Sequence, residues 1–179
     1  MLIDLFPNYK VILDAAGGKD FIRQLNPLHL PDILLLDITM PEMDGCALSI
    51  WVTEHYPAIR ILALSTMDNE LNIIRMLRCG ARGYIPKDAE PYEFKQAFEE
   101  ILAFRPPTPA ESAALRDSLE KEQLIFLRLA CTEKTYYDIA EEMAVNIQFI
   151  ENHRDRLFNK WQISTRIGLV LFALRHGIV

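Results

Sequence analysis

The sequence contains little that would place the protein in a membrane or outside the cell. Its apolar runs, such as Ile33–Leu36 and Val170–Leu174, are far too short to span a bilayer. The first residues lack the basic segment and the small-residue cleavage site of a signal peptide. The three cysteines, Cys46, Cys79 and Cys131, lack the spacing of metal ligands, which predicts free, half-buried thiols. We therefore expect a cytoplasmic protein of 179 residues that has no membrane partner.

Charge is unevenly distributed along the chain. The formal net charge is −6, which taken alone argues against binding to nucleic acid. Acidic side chains outnumber basic ones in residues 1–115, whereas the two are equally frequent in residues 116–179. Basic residues gather towards the end of the second part: Arg154, Arg156, Lys160, Arg166 and Arg175. An acidic front and a locally basic end are typical of a regulator that binds DNA through its C-terminal part.

Strand and helix signals alternate in the first half of the chain. Continuous apolar runs at Ile33–Leu36 and Ile61–Leu64 predict strands that are covered on both faces. Shorter strands are predicted at Lys10–Leu13 and Gly83–Pro86, with helices between the strands. In the helix after the last strand, apolar residues recur at helical spacing and a proline lies near the start. This alternation predicts an α/β fold with a parallel sheet and right-handed crossovers.

A proline-rich segment interrupts this alternation after residue 104. Three prolines within four residues cannot continue a helix, so residues 105–115 are predicted to be a mobile linker. Beyond Ala110 only helical periodicity is found. Apolar positions indicate four helices: around Leu124–Ala130, around Ile139–Met143, over Ile147–Lys160 and over Thr165–His176. The chain is therefore predicted to consist of a domain over residues 1–104, the linker and an all-α domain over residues 116–179.

Three polar residues, Asp37, Ser65 and Lys87, each come at the end of a predicted strand. Because the carboxyl ends of parallel strands meet at one edge of a sheet, these side chains are expected at the edge where doubly wound folds bind ligands. Such a set can accept a phosphoryl group. The carboxylate attacks, the ammonium neutralises charge and the hydroxyl hydrogen-bonds the product oxygens. Gly45, in the loop after Asp37, has no side chain, so the next helix can begin close to the end of the strand.

The residues around these positions form three motifs in order. Asp-x-x-Met-Pro-x-Met-Asp-Gly begins at Asp37, and it is followed by Ala-Leu-Ser-Thr and then by Gly-Ala-Arg-Gly-Tyr-Ile-Pro-Lys. Over about residues 1–104 they resemble the receiver domain of two-component response regulators. The resemblance implies a flavodoxin-like fold and a sensor histidine kinase as the phosphoryl donor. It also implies roles: Asp37 is the phospho-acceptor, Ser65 the switch hydroxyl, Lys87 the lysine of the family motif and Tyr84 the switch aromatic.

One part of the receiver pattern is not found. Receiver domains open with a central strand ending in two adjacent acidic residues, which bind Mg²⁺ beside the phospho-acceptor, so the resemblance implies an N-terminally truncated receiver. Asp37 and the backbone carbonyl of Thr39 remain as Mg²⁺ ligands, a poor set for a cation that prefers several oxygens. In the family's 2-1-3-4-5 strand order, this loss opens a gap between Lys10–Leu13 and Ile33–Leu36. The chain is then either a fragment, or a rearrangement or a partner fills the gap.

Residues 119–179 resemble the C-terminal helix-turn-helix domain of the NarL/FixJ (LuxR-type) family. The matching stretches are Asp138-Ile-Ala-Glu-Glu-Met, Ile150-Glu-Asn-His-Arg-Asp-Arg-Leu and Ser164-Thr-Arg-Ile-Gly-Leu-Val. The resemblance implies a support helix over Ile139–Met143 and a recognition helix over Ile147–Lys160 with Asn146 as its N-cap. Residues implied to face the major groove are Gln148, Glu151, Asn152 and Asp155, and those implied to contact phosphates are Arg154, Arg156, Lys160 and Arg166. Glu151 and Asp155 depart from the family, which often has lysine at both positions.

We therefore expect a phosphorylation-controlled, DNA-binding transcription factor rather than an enzyme. In the family, the helix corresponding to Thr165–His176 pairs two DNA-binding domains about a two-fold axis, which implies a homodimer on double-stranded DNA. One alternative is a regulator that binds DNA or a protein without phosphorylation, because its acidic site is incomplete. Another is an aspartate-based phosphatase, although such enzymes usually need a second aspartate where this chain has Thr39. For the second domain, the alternative is a helical interaction module without DNA affinity.

Overall fold

The structure is a computed structural model that describes residues 2–40, 42–66 and 70–179, apart from the side chains of residues 2 and 4. The elements in chain order are a 3-10 helix (Leu2–Leu5), α1 (Gly18–Gln24), β1 (Ile33–Asp37), α2 (Gly45–His55), β2 (Arg60–Ser65), α3 (Glu70–Arg78), β3 (Gly83–Pro86), α4 (Pro91–Ala103), α5 (Pro109–Asp117), α6 (Lys121–Ala130), α7 (Tyr136–Glu142), α8 (Ile147–Trp161) and α9 (Arg166–Arg175). Among the described residues, none of the helices combines the length and the apolar character that spanning a bilayer requires.

The described residues form two compact units. One comprises those of residues 1–69 and 79–104, and the other comprises those of residues 70–78 and 105–179. The second unit thus includes α3, which was predicted to belong to the domain over residues 1–104. The reason lies in packing, because α3 lies against α9.

The first unit contains a parallel three-stranded sheet in the order β1-β2-β3. Leu35 of β1 is in register with Leu62 of β2, and Leu64 of β2 is in register with Ile85 of β3. The parallel sheet and its three strands confirm the predicted α/β fold at these positions. Apolar side chains from β2, β3 and α4 form a buried cluster together with one aromatic ring from the N-terminal segment: Leu62, Ile85, Phe94, Phe98, Ile101 and Phe6.

Residues 10–13, which were predicted to be a strand, have no regular secondary structure. β1 pairs with β2 on one side, and no described segment pairs with its other side. Val11 and Ile12 are 37% and 53% exposed. A strand needs a hydrogen-bonding neighbour, and without one the backbone groups of residues 10–13 are left to water. The prediction of a strand here was therefore wrong.

A cavity of about 840 Å³ lies between residues 8–15 and β1. Its walls are largely apolar, and they include Phe21, Phe94 and Phe98. Lys87 also lines it. The gap expected between residues 10–13 and β1 is therefore present among the described residues.

The second unit is all helical, and residues 119–179, all of which are described, contain no strand. Helix α8 begins where predicted, because the Asn146 side chain accepts a hydrogen bond from the Phe149 N–H at 2.9 Å. Thr135 and Thr165 cap α7 and α9 in the same way. The core of the unit contains fully buried apolar side chains: Phe126, Leu127, Ile139, Ile150, Leu157 and Leu169.

The segment predicted to be a linker contains most of helix α5. The prolines do end α4, which stops at Ala103. Pro109, however, occupies the first position of α5, where a missing N–H costs nothing because the helix provides no partner for it. Thr108 and Glu111 form a capping box in which each side chain accepts from the other's backbone N–H, at 3.2 and 2.6 Å. The proline cluster thus separates α4 from α5, and only the residues between Ala103 and Pro109 lie outside a helix.

Candidate phospho-acceptor site and candidate DNA-binding surface

Asp37 and Lys87 meet at the carboxyl edge of the sheet. Asp37 is the last residue of β1, and Lys87 directly follows β3. The Lys87 ammonium donates to Asp37 Oδ2 at 2.6 Å. The other oxygen, Oδ1, accepts from the Thr39 N–H at 3.0 Å. The two charged side chains are 41% and 33% exposed, so both are partly accessible to solvent.

The loop after Asp37 is packed too tightly to admit a side chain at Gly45. A Cβ placed on Gly45 would lie 2.6 Å from the Asp37 carbonyl oxygen, which is closer than real contacts allow. The Asp44 side chain caps α2 by accepting from the Ala47 N–H at 2.7 Å. Gly45 therefore lets α2 begin directly against the end of β1, as its sequence position predicted.

Ser65 lies at the same edge but does not bond to the ion pair. Its backbone carbonyl accepts from the Lys87 N–H at 2.8 Å, which holds the ends of β2 and β3 together. Its side chain is 3% exposed, and its hydroxyl has no hydrogen-bond partner among the described residues. A buried hydroxyl without a partner is uncommon and leaves a donor available for a ligand oxygen. Tyr84 lies within β3, in register with Ala63, and is half-buried.

The residues at this edge do not fit a Mg²⁺ site. Within the described parts of the chain, no group of three His, Cys, Asp or Glu side chains could hold a metal ion. Asp37 supplies one carboxylate, and both of its oxygens already accept hydrogen bonds from Lys87 and Thr39. Mg²⁺ prefers near-octahedral coordination by oxygen, which Asp37 and one backbone carbonyl of Thr39 cannot provide.

Helix α8 presents an exposed polar face opposite its buried face. Ile150, His153 and Leu157 are buried. Gln148, Asn152 and Asp155 are exposed, and Gln148 donates to Asn152 at 3.4 Å. Glu151 is half-buried. The spacing of the exposed residues places them on one side of the helix, as a surface that reads base edges requires.

The predicted phosphate contacts are in different surroundings. Arg156 is exposed. Lys160 is also exposed, and its ammonium donates to the Ser118 carbonyl oxygen at 3.2 Å. Arg154 donates to Asp155 at 2.8 Å, which raises the pKa of its guanidinium and offsets part of its charge. Its guanidinium also lies 5.7 Å from the centre of the Tyr136 ring. Arg154 and Arg156 thus differ in how freely their charges can approach a phosphate.

Arg166, which was predicted to contact phosphates, is buried and is not available to contact DNA. Its side chain is 5% exposed. Nε and Nη2 donate to the Ala130 carbonyl oxygen at 3.1 and 2.9 Å. Nη2 also donates to the carbonyl oxygens of Thr132 and Lys134, at 3.0 and 2.7 Å. The last carbonyls of a helix lack partners within it. Arg166 provides a donor for the carbonyl of Ala130, the last residue of α6, and for two carbonyls of the segment that follows the helix.

Two of the cysteines, which were predicted to be free, are bonded to each other. Cys46 and Cys79 form a disulfide across 33 positions of sequence, so local spacing offered no signal for the pair. Cys131 is free and buried, and burial raises the pKa of its thiol to about 12. The prediction of free thiols therefore holds only for Cys131.

Comparison with known proteins assigns the class. Residues 2–99 match the family model of the response regulator receiver domain. This match spans more than half of the chain, and the protein belongs to that family. Response regulator GacA of Pseudomonas viridiflava is 28% identical over 194 residues, covering 100% of this chain and 89% of that protein. Response regulator protein VraR of Staphylococcus epidermidis is 25% identical over 181 residues, covering 95% of this chain and 86% of that protein.

A solved structure agrees on the fold. An RcsB response regulator of Salmonella typhimurium superimposes with a TM-score of 0.52 at 20% identity, covering 96% of this chain and 89% of that one. The predicted combination of a flavodoxin-like receiver and a C-terminal helical domain is thus confirmed. The chain is a two-component response regulator that acts as a transcription factor, and its resemblance to the NarL/FixJ type is also confirmed.

Proposed function

We propose that Asp37 accepts a phosphoryl group from a sensor histidine kinase and that this controls the binding of α8 to DNA. The observation that supports this most directly is the 2.6 Å contact between Lys87 and Asp37 at the end of two strands. In this proposal residues 1–104 act as the receiver, residues 105–115 connect, and residues 116–179 bind DNA in the cytoplasm. The chain is not an enzyme in this scheme, because Thr39 offers no second carboxylate for hydrolysing a phosphate ester.

The chemistry proposed for Asp37 is a direct displacement. A carboxylate oxygen attacks phosphorus, the bond between phosphorus and the donor's histidine nitrogen breaks, and the electron pair stays on that nitrogen. The Lys87 ammonium offsets the negative charge that the phosphoryl group brings to Asp37. The unpaired Ser65 hydroxyl is positioned at the same sheet edge to donate to a phosphoryl oxygen. Movement of Ser65 and Tyr84 would then carry the change to the rest of the chain.

Intact-mass measurement after incubation with acetyl phosphate tests this step. We expect slow addition of one phosphoryl group to the wild-type chain and none to the Asp37→Asn variant. The addition is slow because Lys87 offsets only part of the charge. Rapid addition that depends on Mg²⁺ would instead mean that other residues hold the metal. Equal addition to wild type and to Asp37→Asn would remove Asp37 from the proposal.

For DNA, the proposal assigns two sets of contacts to α8. Gln148, Glu151, Asn152 and Asp155 face the major groove, and Arg154, Arg156 and Lys160 contact phosphates. Arg166 is left out because its guanidinium is bonded to carbonyl oxygens. Binding to a duplex should weaken steeply as salt rises, since cationic side chains release counterions from the phosphates. Titrations by fluorescence anisotropy at several salt concentrations measure this slope, and a salt-independent affinity would contradict the assignment.

The proposal also includes a homodimer formed through α9. Val170 of this helix is fully buried, whereas Ile167, Leu171 and Leu174 are only half-buried and leave apolar surface for a partner. Two recognition helices related by a two-fold axis would suit a palindromic site. Sedimentation with and without a palindromic duplex should show two chains on the duplex. A single chain bound to a half-site at all concentrations would contradict the dimer.

A second candidate function is a regulator that binds DNA without phosphorylation. It is favoured by the absence, among the described residues, of an acidic cluster that could hold a metal ion. The two candidates make different predictions for Asp37→Asn. If phosphorylation controls binding, acetyl phosphate changes the DNA affinity of the wild type and leaves that of the variant unchanged. If it does not, both proteins bind equally before and after treatment.

A further inference from the structure

The disulfide joins a cysteine in the first turn of one helix to a cysteine that follows the end of another. Cys46 is the second residue of α2, and Cys79 directly follows the last residue of α3. Their Cα atoms are 5.3 Å apart, within the range that a disulfide spans without moving the backbone. Both side chains are half-buried, so small thiol reagents can reach them, whereas Cys131 is buried.

Packing next to Cys79 keeps this pair close whether or not the bond is present. Gly80 has a φ of +111°, and a Cβ there would lie closer to Thr53 Oγ1 on α2 than real contacts allow. The Thr53 hydroxyl is itself fixed, since it donates to the Ser49 carbonyl oxygen at 2.8 Å. Only glycine fits this approach, so the chain after Cys79 rests against α2 independently of the sulfur atoms. Two thiols held in this way form an intramolecular bond much faster than they meet an external thiol.

The two thiols differ in how readily they become thiolates. The first turn of a helix carries partial positive charge, which favours a negative sulfur at Cys46. The end of a helix carries partial negative charge, which disfavours a negative sulfur at Cys79. Cys46 is therefore the attacking group, and Cys79 is the group that completes the bond.

We propose that Cys46 and Cys79 are a reversible oxidation site that reacts with small disulfides of the glutathione class. The Cys46 thiolate attacks one sulfur of the disulfide and releases one glutathione thiolate, which leaves a mixed disulfide. Cys79 loses its proton to water, attacks the Cys46 sulfur and releases the second glutathione thiolate. Two protein thiols are oxidised and one glutathione disulfide is reduced to two thiols, so the step balances.

We expect the Cys46–Cys79 bond to be reduced again because the proposed function places the protein in the cytoplasm. In that compartment disulfides are rare, and those that form are usually transient and serve catalysis or redox sensing. The site lies beside the phospho-acceptor loop, because α2 begins at Gly45 and Cys46 follows it. Oxidation closes the segment from residue 46 to residue 79 into a covalent ring. The oxidation state is thus a second input to the same part of the chain, independent of whether Asp37 is phosphorylated.

The test is to treat the reduced full chain with oxidised glutathione and follow intact mass and non-reducing peptide maps. We expect the wild type and the Cys131→Ser control to lose two hydrogens and to yield a peptide pair joined through Cys46 and Cys79. Reduced glutathione in excess should return both proteins to the thiol form. Persistent glutathione adducts that never resolve, or an internal bond that excess reduced glutathione cannot open, would overturn the proposal.

Single variants test the order of attack. Cys79→Ser should gain one glutathione on Cys46, and Cys46→Ser should gain one on Cys79 about threefold more slowly. A thiolate fraction about tenfold larger at Cys46 is partly offset by its lower nucleophilicity. Equal or reversed rates would contradict the assignment of Cys46 as the attacking thiol. The mass measurements do not depend on phosphorylation or DNA binding, so a failure here is distinguishable from a failure of the proposed function.

Discussion

The charge on Lys87 is the feature of the candidate acceptor site whose removal has the clearest expected consequence. We expect the Lys87→Ala variant to be phosphorylated by acetyl phosphate about thirtyfold more slowly than the wild type. The Lys87 ammonium lies 2.6 Å from Asp37 Oδ2 and is the cation that the structure shows in contact with that carboxylate. Removing it leaves the attacking carboxylate and the incoming phosphoryl group to repel each other without this compensation.

The size of this rate decrease follows from how exposed the Lys87–Asp37 ion pair is. Two unit charges 4 Å apart interact by about 1 kcal/mol in bulk water and about 4 kcal/mol at an effective dielectric constant near 20. The Lys87 and Asp37 side chains are 41% and 33% exposed, which places the site between these limits. A loss of about 2 kcal/mol from the transition state slows transfer about thirtyfold.

Initial rates of phosphoryl addition, measured by intact mass, provide the assay. Lys95→Ala is the matched control, because Lys95 is an exposed lysine paired with Glu99 at 3.8 Å on α4 and should label at the wild-type rate. Lys87→Arg keeps the charge with a different geometry and should fall between the two. If Lys87→Ala labels within twofold of the wild type, the ammonium does not stabilise the transition state and the electrostatic reasoning is wrong.

Three further predictions concern the helical unit. Arg166→Ala should lower the free energy of unfolding by about 3 kcal/mol, because it leaves buried carbonyl oxygens without donors, and thermal denaturation would show a midpoint lower by roughly 6–12 °C. Glu151→Lys should tighten binding to random duplex in an anisotropy titration, and no change would mean that Glu151 does not face the DNA. Lys160→Ala should weaken binding to all sequences alike, whereas Asn152→Ala should change the order of preference among operator variants; the reverse pattern would exchange their roles.

Much of the geometry of the candidate acceptor site was predictable because each part of it depends on a single local segment. An apolar run followed by Asp37 indicates a buried strand with a carboxylate at its end, and the shorter strand predicted at Gly83–Pro86 places Lys87 at the end of another strand. The parallel order then places both residues at one edge, so their contact followed from topology. Helix α8 was predictable for a similar reason, since Asn146 and the apolar spacing after it are signals within a single segment.

Other features depended on partners far away along the chain. Residues 10–13 have the composition of a strand, yet a strand forms only when a neighbour accepts and donates its hydrogen bonds, and none of the described segments does so. Arg166 is a basic residue of the kind that contacts phosphates. Its guanidinium instead donates to carbonyl oxygens at and just after the end of α6, which lie more than 30 positions earlier in the sequence. The Cys46–Cys79 bond spans a similar distance. Periodicity and capping report on one segment at a time, whereas pairing, burial and cross-linking depend on which segments the folded chain brings together.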